Sequence, residues 1–137
     1  MSVEQCASVA AELGARFSPR TEVLRKYQLD ETTFGEAERH WMNAIASESE
    51  AGKSDLLERF DERYVQALEQ LRGEITVEMY AQLMVGSERG NLRPVLAELK
   101  LQRPAVLRIE RVWKRRLSRD AKLAAIAANA IGLERTK

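Results

Sequence analysis

The chain reads as an all-α protein, a helical bundle of about eight helices made by tandem duplication of a four-helix unit. Three observations predict this. Apolar residues recur at three- and four-residue steps along most of the sequence. The β-branched residues never alternate for five positions, so no strand is expected. Shifted by 72 positions, the second half falls on the first: Val23-Leu24 meets Val95-Leu96, Leu29 meets Leu101, and Glu38-Arg39-His40-Trp41 meets Glu110-Arg111-Val112-Trp113. Gly14 also meets Gly86, and Phe34 and Ile45 meet Val106 and Leu117. Internal repetition decides architecture ahead of any local reading.

Each element has a local reason. Ser2 with Gln5 forms a capping box ahead of Val3, Cys6, Val9, Ala10 and Leu13, a first helix ending at Gly14-Ala15. Ser18-Pro19 caps and opens a short helix through Val23, Leu24 and Tyr27. Asp30 caps a long helix with Phe34, Ala37, Trp41 and Ile45 along one side, and Gly52 ends it. Ser54 opens a fourth helix carrying Leu57, Phe60, Tyr64, Ala67, Leu68 and Leu71, closed by Gly73. Thr76, Asn91, Pro104 and Asp120 start the four helices of the second copy, whose third carries Val106, Ile109, Trp113 and Leu117. The last helix is alanine-rich and is expected to halt at Gly132. The expected organisation is one helical domain over 1–137, with copy one at 2–73, copy two at 74–132 and a frayed tail at 133–137. Each copy is small, so the pair is expected to share one core.

Composition narrows the classes. A single cysteine, Cys6, excludes an internal disulfide framework and a thiolate metal cluster. No basic-then-apolar leader is visible and no run approaches a membrane span, which predicts a cytoplasmic protein without membrane association. The net charge of +1 conceals a division: residues 1–90 carry 17 acidic and 10 basic side chains, whereas residues 91–137 carry 4 and 12. Such asymmetry bears on association and partner choice.

Chemistry-bearing motifs are sparse. The glycines form neither GxGxxG nor a P-loop, so no cofactor or nucleotide is expected. His40 is the only histidine, with Glu36 one turn before it, and the set is too small for a metal site. Glu38 and Glu110 each precede a tryptophan by one turn; Glu38, Trp41, Glu110 and Trp113 read as a structural pair of pairs in which each carboxylate wants a donor. The same carboxylates, with Tyr27, Tyr64 or Tyr80, carry a third expectation, a ligand pocket or an enzyme. The strongest candidate surface is the helix 103–119, with seven basic residues. Arg108, Arg111, Arg115 and Arg119 form one stripe with Lys114 beside it, and they are the expected partner-binding residues.

These features predict a non-catalytic protein–protein interaction module, an adaptor, chaperone-like or regulatory accessory protein. Its expected partner is an acidic protein surface or another copy of the chain. Nucleic-acid binding through the arginine-rich helix 103–119, read as part of a helix-turn-helix outline, is the second expectation.

Overall fold

Eight helices and no strand make up the computed structural model, which describes all 137 residues. The chain divides into two compact units, Met1–Arg72 and Gly73–Lys137, one residue before the boundary expected from the repeat. No helix is long and apolar enough to cross a membrane.

The first unit begins with α1 (Val3–Ala15). The Ser2 hydroxyl accepts from the Gln5 N–H at 3.0 Å and the Gln5 side chain accepts from the Ser2 N–H at 2.8 Å, so two orphan donors are satisfied reciprocally. Val3, Cys6, Ala7, Val9 and Ala11 are buried. Small residues let α4 (Asp55–Arg72) approach closely: a Cβ on Gly14 would come within 2.8 Å of the Tyr64 hydroxyl. Between them, α2 (Arg20–Lys26) starts after Pro19, one residue later than the Ser18 cap expected. Gln28 then turns left-handed at φ +58°, and the Leu29 N–H closes back on the Leu24 carbonyl at 2.9 Å. Asp30 caps α3 (Glu31–Glu50) through the Thr33 N–H at 2.7 Å, and Gly52 at φ +75° follows its end. The Glu48 carboxylate accepts from the Leu56 N–H at 2.9 Å, so α3 supplies a cap for the first turn of α4. Within this unit α1 packs on α2, α3 and α4, and α3 packs on α4.

The second unit repeats that list of contacts: α5 (Val77–Arg89) packs on α6 (Leu92–Leu99), α7 (Arg103–Arg119) and α8 (Ala121–Arg135), and α7 packs on α8. Thr76 caps α5 and Asp120 caps α8 as expected. Asn91 stands at the start of α6, but its side chain makes no capping bond. The end of α6 reproduces the end of α2, with Lys100 at φ +57° and the Leu101 N–H on the Leu96 carbonyl at 3.0 Å.

Two expectations are corrected. The long helix of the second unit turns its inward face about Ala105, Ile109, Val112 and Trp113, while Val106 and Leu117 lie half-buried at its margins. The last helix runs through Gly132 to Arg135. Glycine inside a helix costs only about 1 kcal/mol, and the end is tied down. Arg135 pairs with Glu88 of α5, and Arg89 donates to the carbonyls of Arg135 (2.6 Å) and Lys137 (3.2 Å), satisfying carbonyls that a fraying end would leave to water.

Candidate functional site

The elbow α6–turn–α7 is built by main-chain chemistry and decorated by cations. The left-handed Lys100 reverses the chain, Leu101 tucks in beneath it at 4% exposure, and Pro104 in the first turn of α7 fixes the exit. Arg93, Leu96, Ala97, Leu101, Gln102 and Arg103 line a half-open hollow of ≈ 540 Å³. Its floor is the buried pair Leu96 and Leu101, and its rim carries Arg93 and Arg103. Both arginines, and Lys100 between them in sequence, are exposed, and their side chains make no ion pair or hydrogen bond with the rest of the chain. Leu107, one turn beyond Arg103 on α7, is 56% exposed. Cations without intramolecular partners beside exposed apolar surface can take a carboxylate and an apolar side chain together.

The expected stripe on α7 divides in two. Arg108, Arg111 and Arg115 are half-buried and each engages a neighbouring group, as does Arg116, whose guanidinium also lies 5.7 Å from the Trp113 ring centre. Lys114 pairs with Glu110 at 2.7 Å, one turn back on the same helix; that hydrogen bond and the carboxylate charge raise the Lys114 ammonium above its ordinary range. Arg119 stands exposed with no partner. The stripe therefore contributes one unengaged guanidinium, and the elbow contributes Arg93 and Arg103.

Neither tryptophan takes its neighbouring glutamate. The Trp41 indole donates to the Met1 carbonyl at 3.1 Å, and Glu38 is exposed. Trp113 is 5% exposed, its indole N–H has no hydrogen-bond partner, and its ring stacks on Tyr80 at 5.0 Å and 11°. His40 sits edge-on against Trp41 at 4.8 Å rather than pairing with Glu36. Of the tyrosines named with these carboxylates, Tyr80 lies near Glu110 and Lys114 and is shifted upward mainly by burial. Tyr27 belongs to a different cluster.

That cluster lies in the first unit and was missed in the sequence because its members come from three helices. On α1, Glu4, Ser8 and Glu12 recur at four-residue steps and face α4 and α2. Glu4 holds Arg59 at 2.8 Å, Ser8 accepts from the Arg63 Nε at 2.7 Å, and Glu12 holds Lys26 at 2.7 Å and the Tyr27 hydroxyl at 2.6 Å. Burial pulls the Glu12 carboxyl up, and the bonds from Lys26 and Tyr27 more than offset it, so the group ends below its ordinary value. Burial, then the Glu12 bond, push the Tyr27 phenol up, so it stays protonated at neutral pH. Two adjoining cavities share Ser8, Tyr27 and Arg63 as a common wall.

No group of three or more histidine, cysteine, aspartate or glutamate side chains is placed to hold a metal ion. Cys6 is buried in α1. No family model, no curated protein and no solved structure matches the chain.

Proposed function

We propose that the protein is a non-catalytic interaction module that docks an acidic partner protein on the basic elbow of its second unit. The observation that carries this reading is the α6–turn–α7 hollow: an apolar floor with Arg93 and Arg103 on its rim, both without partners in the chain. Duplex phosphates would gain from the arginines but nothing from Leu96, Leu101 and the exposed Leu107. An acidic protein segment with an apolar anchor uses both, and arginine beside a hydrophobic pocket is the composition of interface hot spots. The charge division supports the same partner, since Gly73–Lys137 carries 13 basic and 7 acidic residues against 9 and 14 in Met1–Arg72.

Tandem duplication is part of this reading. In its support, α2 and α6 begin 72 positions apart, as do α3 and α7. The left-handed residues Gln28 and Lys100 and the closing bonds from Leu29 and Leu101 keep the same spacing. One copy of the elbow stayed near neutral while the other gathered cations.

The test uses two labelled probes at low salt: a peptide with a central Leu-Phe pair flanked by glutamates, and a mixed-sequence duplex of roughly 20 base pairs, long enough for two helical turns. The peptide is expected to bind, to lose at least about tenfold in affinity with R93E/R103E, and to tolerate R119E. Binding of the duplex alone, falling steeply with salt, replaces this reading with the nucleic-acid one.

A further inference from the structure

We propose that the first unit holds a second, independent site: a receptor for a small organic acid with a short apolar body, seated between α1, α2 and α4 with its carboxylate on Arg63. The reasoning starts from a ladder of contacts. Glu4 and Ser8 on α1 are four apart, and so are the arginines they meet on α4, Arg59 and Arg63. Arg59 meets a carboxylate. Arg63 meets a hydroxyl, at the place where the pattern would put its counter-charge. Its remaining bond runs from Nη1 to the neutral Gln66 Oε1 at 2.8 Å, and it makes no ion pair. A half-buried guanidinium held only by neutral acceptors has lost water without gaining an anion, an arrangement that an incoming carboxylate relieves.

The nearest acid does not supply that charge. Both oxygens of Glu12 are occupied, one by Lys26 and the other by the Tyr27 hydroxyl. Arg63 fronts hollows of ≈ 340 Å³ and ≈ 240 Å³, the first within the range of small-molecule pockets and the second an annex to it. Their apolar lining comes from Met1, Val9, Ala67, Leu71 and the Tyr27 ring. Arg63 is the one cationic side chain of the larger hollow, and Lys26, which lines the annex, is already neutralised by Glu12. A single unmatched positive charge beside apolar surface favours a monoanion with a hydrocarbon body over a multiply charged phosphate. The elbow of the second unit takes no part, so this site stands or falls apart from the docking reading.

Titration of the isotope-labelled full chain with hexanoate, hexanamide and inorganic phosphate, followed by NMR, tests the proposal. Hexanoate is expected to move the Arg63 Nε–H and the Val9 and Leu71 methyl resonances to saturation. The isosteric amide and phosphate are expected to bind at least about tenfold more weakly. R63Q should lose the preference for acid over amide, and R63K should keep part of it. Should R63Q unfold, Leu71→Asp serves instead: it places a like charge at a partly exposed lip, 38% exposed, and should lower hexanoate affinity in a folded protein. Equal binding of acid and amide, unchanged affinity in the folded variants, or no saturable shift with hexanoate would overturn the site.

Discussion

The tryptophans at positions 41 and 113 stand on the third helix of each unit and have opposite circumstances. Trp41 is half-exposed with its indole N–H satisfied by the Met1 carbonyl. Trp113 is buried with that N–H unsatisfied, and it is held by ring stacking on Tyr80 and by the Arg116 guanidinium over its face. Leaving one buried donor unmade costs about 1–3 kcal/mol, so packing around Trp113 must outweigh it. Seventy-two positions before Tyr80 stands Ser8, too small to stack and instead engaged with Arg63. The second unit therefore has stacked aromatic rings at its α5–α7 contact, while the first has polar side chains and open volume along α1.

The largest expected consequence is unequal cost at the two tryptophans. Trp113→Ala should destabilise by about 3–5 kcal/mol, as buried large-to-small changes do. Trp41→Ala should lose about 1–2 kcal/mol, part of its area and one hydrogen bond. Urea denaturation followed by circular dichroism measures both, and equal losses would abolish the contrast.

Next in size is the glycine pair at the same offset. A methyl on Gly14 would press on the hydroxyl of Tyr64, which is buried against Phe60, whereas one on Gly86 would meet Val95 at 3.0 Å on the short α6. Overpacking costs about 1–3 kcal/mol, and alanine returns about 1 kcal/mol of helix propensity. Gly14→Ala should therefore be clearly destabilising and Gly86→Ala close to neutral, as thermal melts would show; the reverse order would mean that α6, not α4, is the rigid neighbour.

The smallest effect separates positions 12 and 84 by pH. With its folded pKa below the ordinary carboxyl value, Glu12 adds stability that is present above the unfolded pKa and lost as pH falls through the folded one. Position 84, seventy-two on, is methionine and has no such term. Glu12→Gln should cost roughly 0.5–1 kcal/mol at neutral pH, and its melting temperature should converge with that of the parent as the pH falls below the ordinary glutamate range of about 4.3 and through the lowered folded value. A difference that persists in acid would assign the loss to packing.

Much of the fold was legible because its signals are local. Ser2 with Gln5, Asp30, Thr76 and Asp120 declare helix starts through their own side chains, and Gly52, Gly73 and Gly90 declare ends through positive φ. The inward face of α7 was less so: Val106, Ile109, Val112, Trp113 and Leu117 span more of the helix than one partner covers, and tertiary packing chose among them. The candidate sites were hardest to read. Ser8 and Arg63 are 55 residues apart, and only the shared four-residue spacing of Glu4/Ser8 and Arg59/Arg63 hinted at their meeting. Counting arginines pointed to the middle of α7, yet Arg108, Arg111 and Arg115 are engaged within the chain, while Arg93 and Arg103 on either side of the turn are not.

The turn between α6 and α7 is held by its backbone, with Lys100 in a left-handed conformation and the Leu101 amide on the Leu96 carbonyl. The side chains of Arg93 and Arg103 take no part in holding it closed, whereas the positive φ of Lys100 disfavours β-branched residues there. On the proposed docking reading, the two arginines on the rim can therefore be exchanged to retune specificity while the turn beneath them stays fixed, much as a paratope is matured on a fixed framework.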